Sequence, residues 1–382
     1  MVVVVMMHAK SELRCGMRFE RSPLEQWFTE HPGPYRFNLG STAVGALSRD
    51  DLARFLPEGF DLLGDWAYGE PAGDRRLRER LADAYGCTAS QVLLTHGAVE
   101  ANFLALTCLL RAGDEVIGQY PVYPQVPCVV EGLGSRFLPW FLPADDAPLD
   151  WSALDALWGP KTRLVVLNFP HSPTGRQLTF EDRAALNRRL DAWPDTLVLL
   201  DEVYEGVGIG ATAELTHKHH PRWLVSNSVS KSWGLPGARV GWLIAPEAVI
   251  NDAVVWREHL SLSLASSAVA LVNALWPQRQ NLLAWNQALL ERNQAIVNAC
   301  DWSASVKRPR LSASTGTFLL GCEQWLDDRQ FARALYQTSR TFVVPASTVG
   351  YPGYLRIGFG HRDAEQLRGG LNELAAALNA LT

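Results

Sequence analysis

Short apolar runs separated by longer amphipathic stretches dominate the first two-thirds of the chain. Val92-Leu93-Leu94, Glu115-Val116-Ile117, Leu164-Val165-Val166-Leu167 and Leu197-Val198-Leu199-Leu200 are brief and β-rich, and so predict buried strands. Between such runs the spacing turns helical. Asp74 to Tyr85 puts Leu77, Leu81 and Ala84 on one face and is followed by Gly86, a residue suited to ending a helix. Alternation of this kind over roughly two hundred residues predicts an α/β fold, a parallel sheet covered on both faces. Beyond about residue 246 the pattern changes. Asn251 to Leu260 and Ser266 to Cys300 read as long helical stretches, followed by a few short strands and a terminal helix over Asp363 to Leu378. We divide the chain into an N-terminal arm (1–36), a large domain (37–260) and a smaller α+β C-terminal domain (261–382). No internal repeat or low-complexity linker marks these boundaries.

Composition narrows the partners. The 382 residues are 47% hydrophobic and 20% charged, which excludes disorder, collagen and coiled coil. Thirty-five basic against forty acidic side chains leave a net charge of −5 without a Lys/Arg block, so neither nucleic acid nor an anionic membrane is an expected partner. A small molecule is. Six cysteines (Cys15, Cys87, Cys108, Cys128, Cys300, Cys322) form no CxxC, which argues against a zinc site or a disulfide framework and for a reducing cytoplasm. His217, His219 and His220 lack carboxylate or cysteine partners at ligand spacing and read as a solvated loop, so no metal is expected. The apolar start MVVVVMM lacks a basic flank and is shorter than a signal-peptide core; it reads as an extension, with Met7 or Met17 as alternative starts. No later stretch is long and apolar enough to span a bilayer.

Open α/β sheets bind ligands beyond the carboxyl ends of their strands. Four segments there carry chemistry: Thr95-His96-Gly97-Ala98-Val99-Glu100, the NFPHSPTG run from Asn168 to Gly175, Asp201-Glu202-Val203-Tyr204, and the stretch from Ser228 through Lys231 to Arg239. Singly, each has an ordinary reading as a solvated loop or a capping acid. Together, a lysine, an aspartate, a glycine-led helix start and an arginine are what an aldehyde cofactor bearing a phosphate and a pyridine nitrogen needs.

The order and spacing of these segments resemble the fold-type I pyridoxal-phosphate enzymes of the class I/II aminotransferase family over nearly the whole chain. The resemblance implies a mainly parallel sheet sandwiched by helices in the large, cofactor-binding domain, with pyridoxal 5'-phosphate held as a Schiff base on Lys231. That lysine lies in S-x-S-K-x-x-G-L-P-G-x-R-x-G, with Arg239 eight residues on. A lysine imine exchanges readily with a substrate amine, and the released amine can shuttle the α-proton. By the same resemblance Asp201 pairs with the pyridine nitrogen, Tyr204 and the residue at Ser172 meet the ring 3-oxygen, and Tyr123 of YPVYP stacks on the ring. The phosphate falls to Gly97, Ala98 and Val99 at a helix N-terminus, with Ser228 and Arg239. Tyr68 of WAYGEPAG resembles a tyrosine donated by a neighbouring subunit, which implies a homodimer with shared sites. Arg356 of Tyr354-Leu355-Arg356-Ile357-Gly358 matches the arginine that clamps a substrate α-carboxylate, and Gly40 lies in the loop brought over the substrate. Plainer readings stand beside these: core packing for Tyr123, a packed loop aromatic for Tyr68, and a structural salt bridge for Arg356.

One position departs from the pattern. The residue before Pro-Thr-Gly is usually asparagine in the family, and here it is Ser172, whose shorter hydroxyl reaches the 3-oxygen less directly. Asn168, four residues earlier, reads as the polar residue ending its strand, with compensation for the missing asparagine as the alternative. SPLEQW (Ser22 to Trp27), THG (Thr95 to Gly97), VLNFPH (Val166 to His171), GLPGARVGW (Gly234 to Trp242) and LRIGF (Leu355 to Phe359) resemble the capreomycidine-synthase-like branch, which acts on arginine-derived amino acids by elimination and ring closure in natural-product pathways. The DEVY segment instead resembles an ordinary aminotransferase. The expected activity is therefore amino-group transfer at the α-carbon of a small amino acid, with a lyase or cyclase as the alternative. A non-catalytic amino-acid sensor is the reading from another class, disfavoured because no DNA-binding head is visible before residue 30. Most of the fourteen tryptophans read as core or interface; several, Trp233 and Trp242 among them, flank the lysine segment, and one of these is a candidate pocket wall.

Overall fold

The computed structural model describes residues 18–61, 66–143, 147–205, 221–302, 306–307, 311–312, 315–322 and 327–380. The histidine cluster at 217–220, Cys15 and both alternative start methionines lie outside them. The strands in chain order are β1 (Phe37–Asn38), β2 (Val92–Thr95), β3 (Glu115–Tyr120), β4 (Arg136–Phe141), β5 (Thr162–Asn168), β6 (Leu197–Asp201), β7 (Trp223–Ser228) and β8 (Gly241–Ile244). After these come β9 (Val306–Lys307), β10 (Thr317–Cys322), β11 (Thr341–Phe342), β12 (Val344–Pro345) and β13 (Tyr354–Gly358).

The apolar runs pair into a seven-stranded sheet of order β2-β8-β7-β6-β5-β3-β4. All neighbours are parallel except β8, which runs against both β2 and β7. Side chains alternate across it as a period of two requires. Leu199 packs with Leu104 and Ile250 on one face, while Val198 and Leu200 pack with Leu186 and Leu190 on the other. Both faces are covered, which explains why the central strands carry no polar stripe. β4 has no clear signature in the sequence because Pro139 interrupts it; a residue without an N–H is tolerated at the sheet edge, where β4 sits.

Helix ends follow local chemistry. Arg75–Tyr85 starts where the Asp74 carboxylate accepts from the Leu77 N–H at 2.8 Å and stops at Gly86, which is left-handed at φ 63°. The single helix expected over Ser266 to Cys300 is divided into Ser266–Leu275 and Arg279–Asn298 by a 3₁₀ turn, Trp276–Gln278. Pro277 causes the break, having no N–H to continue the ladder. The final helix, Ala364–Asn379, is capped by Asp363.

A second sheet, β12-β13-β10-β9, is wholly antiparallel and packs Phe318, Leu355 and Ile357 with Leu367, Leu371 and Leu374 of the final helix. The helix Pro23–Glu30 joins the same cluster through Leu24 and Trp27, whose indole N–H donates to the Val343 carbonyl at 3.0 Å. Strand β1 pairs in parallel with β11, so the chain that follows it, Leu39 to Val44, is laid across the gap between the two sheets. No described helix is long and apolar enough to cross a membrane.

Candidate active site

At the carboxyl ends of β6 and β7 the two sheets enclose a cavity of about 480 Å³. Its walls bring together Gly40, Ala98, Val99, Tyr123, Ser172, Asp201, Tyr204, Ser228, Lys231, Arg239 and Arg356, residues spread over more than three hundred positions.

Asp201 ends β6. Its carboxylate accepts from the Asn102 amide at 2.8 Å and from the Val203 N–H at 3.0 Å. Burial pushes its pKa above the usual carboxylate range, while those two donors and the Lys231 charge pull it down. The Ser226 hydroxyl donates to the Asn102 carbonyl oxygen, which turns the amide nitrogen toward Asp201. No motif points to Asn102; the one available signal is a polar residue on the buried face of the helix Ala98–Leu109. Asn168 does more than end its strand. Its amide donates to the Asp201 carbonyl at 3.0 Å and its side-chain oxygen accepts from the Ser172 N–H at 3.3 Å, tying the two loops together. The Ser172 hydroxyl lies at the cavity wall, 3.5 Å from that of Thr317.

The opposite end is built for an anion. Gly97 is the N-cap of the helix Ala98–Leu109, at φ 76°, and a Cβ there would lie 2.6 Å from Arg239 Nη2. Only glycine fits, and that close approach lets Arg239 lie beside the free N–H groups of the first turn. Gly97 thus shapes the helix start without lining the cavity. Arg239, itself left-handed at φ 52°, is aimed by donating to the His96 carbonyl at 2.9 Å and the Ser230 hydroxyl at 3.3 Å. The Ser228 hydroxyl accepts from the Ser230 N–H at 3.2 Å.

Lys231 Nζ donates to the Thr42 hydroxyl at 2.7 Å. Arg356, only 7% exposed, donates to the Gly40 carbonyl at 3.3 Å and leaves Nε without a partner. Among the described residues no carboxylate forms an ion pair with it within 4.0 Å, so the salt-bridge alternative has no support, and burial pushes its pKa down. Tyr123 is not core: it is 37% exposed, faces the cavity and donates from its hydroxyl to Glu25 at 2.9 Å. Burial, and next the Glu25 charge, push its phenol pKa up. Glu25, which also lines the cavity, lies in the SPLEQW segment, but nothing in the sequence assigns it a site role.

Two expectations fall outside the cavity. Tyr68 is 88% exposed and lies with Arg76 and Arg80 in a separate surface depression. Trp233 and Trp242 are buried away from the site, the first against Trp276 and the second donating to the Tyr85 hydroxyl at 3.1 Å.

Behind Ser172 the imidazole of His171 is completely buried. Nε2 meets the Pro121 carbonyl at 3.1 Å, an acceptor only, so it carries the proton, and Nδ1 accepts from the Thr174 hydroxyl at 2.7 Å. Burial pushes its pKa down to about 4. The neutral ring's contribution is therefore fully present above pH 6.5 and lost as pH falls from there toward 4, an effect of roughly 3 kcal/mol. In urea unfolding, the stability advantage of the natural protein over His171→Gln is expected to shrink by about that amount between pH 7 and pH 4. A constant difference would show that the ring titrates normally.

The cavity thus gathers a lysine, a buried aspartate, two arginines and a helix N-terminus on facing walls. The family described as aminotransferase class I and II matches residues 64–374. Capreomycidine synthase of Streptomyces vinaceus is 31% identical, the match covering 91% of each chain. Among solved structures, the pyridoxal-phosphate-dependent cyclase OrfR is similar with a TM-score of 0.86 at 27% identity, covering 97% of this chain and 100% of that one. A pyridoxal-phosphate-dependent aminotransferase from Streptococcus suis follows at a TM-score of 0.84 and 25% identity, covering 96% and 99%. The chain belongs to the class I and II aminotransferase family, with the fold-type I architecture. It is an enzyme of that family, whose relatives include both aminotransferases and a cyclase.

Proposed function

We propose that the protein binds pyridoxal 5'-phosphate on Lys231 and transfers the amino group of a small amino acid. The observation that carries this reading is Arg356, a buried cation with no carboxylate of its own, facing the same cavity as Lys231 and Asp201. A buried unpaired charge is costly, and a substrate α-carboxylate would satisfy it. The cavity residues fit the cofactor. The N–H groups at Ala98 and Val99, the Ser228 hydroxyl and the Arg239 guanidinium would take its phosphate, Asp201 its pyridine nitrogen, Tyr204 and Ser172 its 3-oxygen, and Tyr123 its ring face. When bound, that ring accepts electron density from the substrate α-carbon. The chain's own work is to hold the carboxylate at Arg356, keep the ring nitrogen charged through Asp201 and move the α-proton with the Lys231 amine.

We further assign the chain to a homodimer in which Tyr68, exposed in one subunit, meets the phosphate of the other. The thiols of Cys87, Cys108, Cys128 and Cys300 are free, in keeping with a cytoplasmic protein.

A second reading, elimination with ring closure on an arginine-like substrate, is favoured by two observations. Ser172 replaces the usual asparagine, and Glu25 places a carboxylate at the mouth of the cavity, where it would attract a cationic side chain. One experiment separates them: purified holoenzyme is mixed with single amino acids, arginine included, without a keto acid, and the cofactor is weighed. Stoichiometric conversion to pyridoxamine phosphate establishes transfer; unchanged cofactor with a released, cyclised or eliminated product establishes the second reading. No reaction with any amino acid would leave the sensor in place of both.

Arg356→Gln is expected to raise KM for the amino acid about a hundredfold, the value of a desolvated charge-assisted pair, with a smaller change in kcat. Because the arginine is buried and unpaired, the variant should melt no lower than the natural protein. Unchanged KM would remove the carboxylate from this residue.

A further inference from the structure

We infer that Thr42 is the positioning residue for the Lys231 amine, holding it in both of its proton states. The contact is the 2.7 Å hydrogen bond from Lys231 Nζ to the Thr42 hydroxyl, inside the cavity. No motif marks Thr42, which lies 189 positions from the lysine.

Position alone is not the argument; rigidity is. The loop bearing Thr42 is stitched to β11 and β13 before that residue and to the chain just past β13 after it. The Leu39 N–H donates to the Phe342 carbonyl at 2.8 Å and the Gly358 N–H to the Leu39 carbonyl at 2.7 Å. Beyond Thr42, the Gly45 N–H donates to the Gly360 carbonyl at 2.6 Å. The loop lies so close to β13 that a Cβ on Gly358 would come within 1.7 Å of the Ser41 carbonyl oxygen. Arg356 also donates to this loop, at Gly40. One rigid strap therefore carries the partner of the amine and touches the guanidinium.

The chemistry suits a threonine. Its hydroxyl accepts from an ammonium and can turn to donate to the lone pair of a neutral amine, so the contact survives loss of the proton. Its β-branch restricts χ1, and the oxygen stays where the strap places it. A four-carbon lysine stem released from covalent attachment would otherwise sample many rotamers. With Thr42 in place the amine is held beside the reacting carbon, where it takes the α-proton and later returns it. No other group is consumed.

This rests on the proposed function, and the test separates the two. Holoenzymes of the natural protein, Thr42→Val, Thr42→Ala and Thr42→Ser are compared by the visible band of the bound cofactor, its circular dichroism, the kcat and KM for the amino acid, and the isotope effect with α-deuterated substrate. For Val and Ala we expect the band to persist with altered dichroism, KM to stay within about threefold, kcat to fall about ten- to a hundredfold, and the isotope effect to rise. Serine should restore kcat to within about threefold of the natural protein. An unchanged kcat and isotope effect, a loss confined to KM, or a serine as impaired as valine would overturn the inference while leaving the proposed function intact. If valine fails to fold, the alanine and serine pair decides the same question. Absence of any visible band in the natural protein would overturn both.

Discussion

Lys231→Ala is expected to abolish turnover, with kcat/KM falling at least about ten-thousandfold. The lysine is asked for two things that no neighbour supplies. On the proposed function it would anchor the cofactor covalently, and its amine would be the group that moves the α-proton. Among the cavity residues the other cations, Arg239 and Arg356, are guanidinium groups that cannot be deprotonated in a protein and so cannot serve as the base. The fold should survive, because Lys231 is half-buried and, among the described residues, its side chain is seen to hydrogen-bond to Thr42 alone. Mass spectrometry after borohydride reduction supplies the check: the natural protein gains the cofactor mass on the peptide that carries Lys231, and the variant does not. A label found on another lysine would refute the assignment.

Asp201→Asn comes second, with an expected loss in kcat of about a hundred- to a thousandfold, the scale for removing one pre-oriented electrostatic partner. Asparagine keeps the size and loses the charge, so the ring nitrogen is no longer held protonated. The stability effect should run the other way. Burial raises the carboxyl pKa in the folded state, so the ionised form works against folding above the unfolded value and the penalty fades as pH falls through the folded one. Cofactor-free Asp201→Asn should therefore melt at or above the natural protein at pH 7. A variant that melts lower and keeps its kcat would show Asp201 to be a structural residue bound to Asn102 and Val203, and nothing more.

Much of the site is legible in the order of residues. The central strands stand out because a strand buried on both faces has no alternative to a continuous apolar run, and the chemical residues follow directly at their ends. Lys231, Asp201 and the Gly97 helix start lie within a few residues of such runs, so local order suffices to find them. Arg356 is recognisable by its motif, but its defining property, burial without a counter-ion, belongs to the packing of β13 against the Leu39–Val44 strap.

Everything local is thus written in the chain itself: the α/β class, the helix caps at Asp74 and Gly86, and which loops carry chemistry. Who meets whom is settled only when the chain has folded. Asn102 reaches Asp201, Glu25 reaches Tyr123, and Thr42 reaches Lys231 across 99, 98 and 189 positions; the first contact forms as a helix packs on the large sheet, the other two as the N-terminal segment closes over the cavity. Periodicity reports which face of an element is buried, but not which distant side chain is buried against it. For that reason the two tryptophans beside the lysine segment, plausible as pocket walls in one dimension, lie in the core in three.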